Sequence, residues 1–149
     1  MSDLVTRKSR ELVGSGKFRE AEQFLRQHMR RAPADLSLHA ELARVFAVAG
    51  NREQAIYFAE HAGQSRDMPT LEAAGDALSL LGEHARAADL FRRAIARTPD
   101  AAPAHNGLGV RLMRARRFDE AREPLERAHA LAPGDPNISA NLALAYAET

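Results

Sequence analysis

Cysteine and tryptophan are absent from this chain of 149 residues, and aromatic residues make up only 5% of it. Without cysteine there is neither a disulfide framework nor a thiolate metal site, and the redox compartment leaves no mark on the sequence. Scarce aromatics leave little on which nucleobases could stack. No apolar run approaches the roughly 18 residues of a membrane span, and the segment 1–13 is charged and has no apolar signal core. Neither sign of charge prevails: 21 Lys and Arg face 20 Asp and Glu, so no overall field favours nucleic acid or an anionic membrane. The mild asymmetry that exists is local, with eight positive and five negative charges in residues 2–35 against seven and nine in 36–101. Runs of β-branched residues and strict alternation are missing as well, which argues against strands. These absences lead to the expectation of a cytoplasmic protein that engages neither nucleic acid nor membrane.

What the chain does have is recurrence. Ala21, Ala55, Ala87 and Ala121 are separated by 34, 32 and 34 residues, and Leu12, Phe46, Leu78, Leu112 and Tyr146 keep the same steps and add another of 34. Gly16, Gly50 and Gly82 fall in phase, and Pro33, Pro99 and Pro133 close three of the units. A period of this length predicts a solenoid whose units contact mainly their neighbours. Apolar residues at helical spacing, separated by short Gly, Asn, Asp or Pro punctuation, predict helices over 3–14, 18–31, 37–49, 52–62, 69–81, 84–97, 103–115, 118–131 and 136–147, alternating as A and B partners.

Stacked in register, the units resemble the tetratricopeptide repeat, a helix-turn-helix of 34 residues. The fourth unit carries Leu108, Gly109, Leu112, Ala121, Leu125, Ala128 and Pro133 at repeat positions 7, 8, 11, 20, 24, 27 and 32. The third matches through Leu71, Ala74, Gly75, Leu78, Gly82, Ala87, Phe91, Ala94 and Pro99. The resemblance covers essentially the whole chain and is of bacterial type. It implies an all-α fold, a right-handed superhelical solenoid of antiparallel helix pairs forming one array over 1–149, with units at 2–35, 36–67, 68–101 and 102–135 and a half unit at 136–149. Small residues at positions 8 and 20 let the two helices of a unit approach, while large ones at 4, 7, 11 and 24 fill the layers between neighbours. The first unit departs from the pattern with Lys8, Ser9 and His28 at positions 7, 8 and 27. In the second unit the interval contracts by two residues and Gly63 is expected to end its B helix early. Pro124 falls inside the fourth B helix, where it removes a backbone hydrogen bond.

Candidate chemistry is thin. His28, His39, His61, His84, His105 and His129 show no spacing typical of metal ligands, so they read as packing or partly wetted residues, and no metal or cofactor is expected. Gly14-Ser15-Gly16-Lys17 has Glu11 and Phe18 where a phosphate-binding loop needs Gly and Ser or Thr, and reads as an interhelical turn. The arginines at 26, 30 and 31, and at 111, 114, 116 and 117, are interleaved with acidic residues and read as solvated helix faces. No nucleophile, base and acid constellation appears, so catalysis is not expected.

Resemblance to the family implies that the A helices line a concave groove holding a peptide or helix of a partner protein. Mapped by repeat position, the groove residues are Arg7 and Arg10, then Glu41 and Arg44, then Glu72 and Asp76, then Asn106 and Val110, and finally Asn141. Charged groove residues can equally be ordinary solvated side chains. The clamp for chaperone-tail carboxylates is not matched, since Glu41 and Ala73 stand where it needs Asn or Arg; nor is an asparagine ladder, since its positions read Arg7, Glu41, Ala73, Gly107 and Asn141. The functional expectation is an adaptor or scaffold. The alternative is a substrate-recruiting arm of a larger bacterial glycosyl- or sulfotransferase whose catalytic domain lies outside this chain. The half unit 136–149 leaves three readings open: a truncated longer protein, a homodimer contact through this terminal helix, or a minimal cap in which Ile138, Leu142 and Tyr146 lack a B helix to pack on.

Overall fold

A computed structural model describes residues 3–149. Among them the chain forms nine α-helices and no strand: α1 (Asp3–Gly14), α2 (Phe18–Arg31), α3 (Leu36–Ala49), α4 (Arg52–Ala62), α5 (Met68–Leu80), α6 (His84–Arg97), α7 (Ala102–Arg114), α8 (Phe118–Leu131) and α9 (Pro136–Ala147). The all-α helical repeat is therefore as expected, and the bounds differ from the sequence reading only at α3, α5 and α7, each of which begins one residue earlier, α5 and α7 also ending one residue earlier, at Leu80 and Arg114. The reason is local. Asp35 accepts a hydrogen bond from Ser37 N and Asp67 from Thr70 N, so α3 and α5 start directly after a capping aspartate, whereas α7 starts after Ala101, which has the same extended backbone but no side-chain cap.

Turns between A and B helices need one residue in the left-handed region. Gly16, Gly50 and Gly82 occupy it with φ of 73°, 84° and 76°, and in the fourth unit Arg116 takes the same place at φ 60°. Gly63 caps α4, which stops at Ala62 as its glycine predicts. Pro124 lies within α8, which nonetheless runs unbroken from Phe118 to Leu131.

The helices gather into two compact units, one ending at Gly82 and the other beginning at Glu83. In the first, each of α1 to α5 packs on the next, and the A helices also meet directly, α1 on α3 and α3 on α5. Its core is built from Leu25, Leu38, Leu42, Val45, Phe46, Phe58, Leu71 and Leu78 around the small residues Ala21, Ala43, Ala55, Ala59 and Ala74. In the second unit α6 to α9 pack in succession and α7 also meets α9. Phe91, Leu90, Leu108, Leu112, Leu125 and Ile138 fill it, with Ala87, Ala121 and Ala128 fully buried between them.

Two readings are corrected here. Arg111 is not part of a solvated face: it is 3% exposed, with its guanidinium 5.1 Å from the centre of the Phe91 ring. A β-carbon on Gly107, one turn earlier on α7, would lie 2.3 Å from that ring, so the ring packs on bare glycine backbone with the guanidinium close to it. Ile138, expected to lack a packing partner, is buried because α9 rests on both α7 and α8. Tyr146 does stay exposed at its rim; its hydroxyl donates to Glu126 Oε1 at 2.6 Å and the Arg122 guanidinium sits 4.7 Å from its ring. The carboxylate partner holds the phenol above its usual pKa.

Candidate binding faces of the A helices

Geometry of the first unit is set by three parallel demands of sequence. Aspartate caps fix where α3 and α5 begin, small residues at the shared positions let α1, α3 and α5 approach, and the side chains between the apolar stripes then face one another. The result is a depression of about 280 Å³ lined by Asp3, Thr6 and Arg10 of α1, Ser37, Ala40 and Glu41 of α3, and Asp67, Pro69, Thr70 and Ala73 at the start of α5. At its wall Arg10 Nη2 donates to Glu41 Oε1 at 3.2 Å. The pair is unequal: Glu41 is 3% exposed, whereas the Arg10 side chain is 52% exposed. Glu41 Oε2 is buried and has no hydrogen-bond partner. An orphaned carboxylate oxygen at such depth is costly and calls for a donor.

Of the residues predicted for the first unit, Arg10 and Glu41 are thus brought into contact. Arg7 is exposed and lines a second, shallower depression with Asp3, Thr6, Arg10 and Glu11. Arg44 lies one turn beyond Glu41, half-buried, with Nη1 buried and unpartnered. Glu72 is exposed and Asp76 half-buried, one turn apart on α5.

In the second unit Asn141 of α9 donates through Nδ2 to Asn106 Oδ1 of α7 at 3.0 Å. Both are half-buried, and Val110 follows Asn106 by one turn on the same helix. This leaves the Asn106 amide hydrogens and the Asn141 carbonyl oxygen as paired donor and acceptor groups of the kind a peptide backbone can match.

One cluster went unread in the sequence. His39 on α3 and His61 on α4 stack with ring centroids 4.9 Å apart, and Tyr57 stacks on His61 in turn at 5.7 Å. His39 Nδ1 is 3.4 Å from the Asp35 carbonyl oxygen. Burial, joined by the neighbouring His61, pushes the His39 imidazole below its ordinary pKa against the opposing pull of Asp35. The two residues are separated by a helix and a turn, and only the known pairing of A with B helices could have suggested their meeting. Among the described residues no group of three or more His, Cys, Asp or Glu is arranged to hold a metal ion, and no helix is long and apolar enough to cross a membrane.

Comparison with known proteins agrees with this architecture. Residues 6–69 and 72–136 match the family model described as tetratricopeptide repeat. No curated protein sequence matches the chain. Among solved structures it is similar to TTC0263, a thermophilic repeat protein of Thermus thermophilus, at 21% identity and a TM-score of 0.60 over 95% of this chain and 79% of that one. It is similar to MamA at 21% identity and a TM-score of 0.59, covering 93% of this chain and 82% of that one. A tetratricopeptide repeat protein from Parabacteroides merdae aligns at 18% identity and a TM-score of 0.62 over 98% of this chain and 59% of that one. Likeness at these identities is a likeness of fold.

Proposed function

Because the chain belongs to the tetratricopeptide repeat family, we propose that it is a protein-interaction module whose A-helix faces hold an extended segment or helix of a partner protein. The observation that carries this reading is the depression on α1, α3 and α5, walled by a buried glutamate with an unpartnered oxygen. Polar groups held in place by packing and left without partners suit recognition of a segment brought by another molecule. The amide pair Asn106 and Asn141 supports the same reading in the second unit, since side-chain amides can follow the donor and acceptor alternation of an extended backbone.

The test is blockade of the depression. Ala73 is half-buried at its edge, and Ala73→Arg places a long side chain across it without disturbing the apolar core. A partner that copurifies with the wild-type chain from its native cell is expected to be lost with Ala73→Arg and kept with Arg19→Ala, an exposed change on α2. Equal recovery with all three chains, at unchanged helix content, overturns the assignment of this face.

A further inference from the structure

We propose that the depression between α1, α3 and α5 is a cation-specific pocket that takes the charged head of a lysine or arginine side chain from the bound segment. The inference rests on the interaction-module reading and adds what the site selects. It starts from charge. Three carboxylates, Asp3, Glu41 and Asp67, line the depression against the single guanidinium of Arg10, and that guanidinium is already engaged by Glu41 Oε1. Glu41 is more than nine-tenths buried and its second oxygen has no partner, so its negative charge is poorly screened by water and adds to the pull on a cation held in the depression.

The hydroxyls around it point the same way. Ser37 Oγ donates its hydrogen to Asp35 Oδ1, and Thr70 Oγ1 donates to Asp67 Oδ2 at 2.8 Å. With their hydrogens committed to the helix caps, these oxygens can only accept. Both cap bonds from Thr70 use Asp67 Oδ2, which leaves Oδ1 outside the cap. The site is therefore rich in acceptors and poor in donors, the complement of an ammonium or a guanidinium and the opposite of what a carboxylate requires. Ala40, Pro69 and Ala73 supply an apolar wall against which the methylene stem of such a side chain can lie. A volume of about 280 Å³ accommodates one long side chain. Arg7 stands outside, in the neighbouring depression, where Glu11 offsets it.

The probe is Nα-acetyl-lysine methylamide, with the arginine and norleucine analogues beside it, titrated into the whole chain while backbone amide resonances are followed by NMR. Saturable shifts centred on Thr6, Glu41 and Thr70 are expected with the lysine or the arginine compound and not with norleucine. Glu41→Gln keeps an acceptor for Arg10 and the volume of the side chain, and should weaken the cationic probe about tenfold or more. Asp67→Asn still caps α5 and should weaken it several-fold, and it carries the test alone if Glu41→Gln lowers the thermal midpoint. Shifts that do not saturate, that appear equally with norleucine, or that survive both substitutions overturn the proposal. If the probes fail while Ala73→Arg still abolishes partner capture, the cation pocket falls and the interaction face stands. If the probes bind at these residues while Ala73→Arg leaves capture intact, the depression does not hold the bound segment and the proposal falls.

Discussion

Gly107 and Gly109 decide how closely α7 sits against its neighbours. A β-carbon on Gly109 would lie 2.4 Å from Leu125 Cγ, and one on Gly107 would lie 2.3 Å from the Phe91 ring, both far inside van der Waals contact with side chains that are themselves fully buried. Gly109→Ala is expected to destabilise the chain by about 1–3 kcal/mol, the usual cost of overpacking, which circular dichroism melts would register as a lowered midpoint. Gly107→Ala should cost a similar amount and also displace the ring from under Arg111. An unchanged midpoint for both would mean that α7 can shift outward freely. The two glycines differ in how readable they were. Gly109 occupies a repeat position where every unit wants a small residue, so periodicity alone announced it. Gly107 stands where the repeat makes no such demand, and its role depends on a phenylalanine on the preceding helix. Arg111 went unread for the same reason: a charged residue in an arginine-rich stretch reads as solvated until the aromatic surface beside it is known.

At the scale of the helix, α3, α5 and α9 start after an aspartate cap and α7 does not. Asp35, Asp67 and Asp135 precede α3, α5 and α9, whereas Ala101 precedes α7 with no side-chain cap. Its backbone, at φ −84° and ψ 102°, already has the extended conformation of the capped starts, for which Asp67 at −84° and 119° is typical. Ala101→Asp should therefore cap α7 without rearrangement and stabilise it by about 0.5–1 kcal/mol, seen as a raised thermal midpoint. A midpoint that stays level or falls would show that the first turn of α7 is satisfied by other means. Asp100, one residue out of register, is engaged differently, accepting from Arg127 Nη2 at 2.9 Å. Helix identity was legible throughout because each segment couples helical apolar spacing to a terminator. The one-residue errors at α3, α5 and α7 arose because punctuation marks a turn without saying which of its residues is the cap. The candidate site was legible only as a set of repeat positions. Which members meet, Arg10 with Glu41 and Asn106 with Asn141, depends on how adjacent A helices approach.

For the molecule as a whole, the net formal charge of +1 at neutral pH is counted with six neutral histidines, so the imidazoles are the groups through which mild acid first acts. His39 is one of them. It is 8% exposed, stacked on His61, and burial holds its pKa below the ordinary 6.5. In the unfolded chain the imidazole binds its proton at the ordinary value, so between the depressed folded pKa and 6.5 the unfolded state carries more protons than the native one. Stability consequently falls as pH drops through that window and levels off once the folded imidazole is protonated as well. The thermal midpoint is expected to drop between about pH 7.5 and about pH 5.5, and His39→Leu, which keeps a large residue at the same packing position, should drop less over that range. The informative quantity is the difference between the two slopes. Parallel slopes would mean that His39 protonates in the folded chain without penalty, and that the stacked pair opens to water rather than resisting the charge.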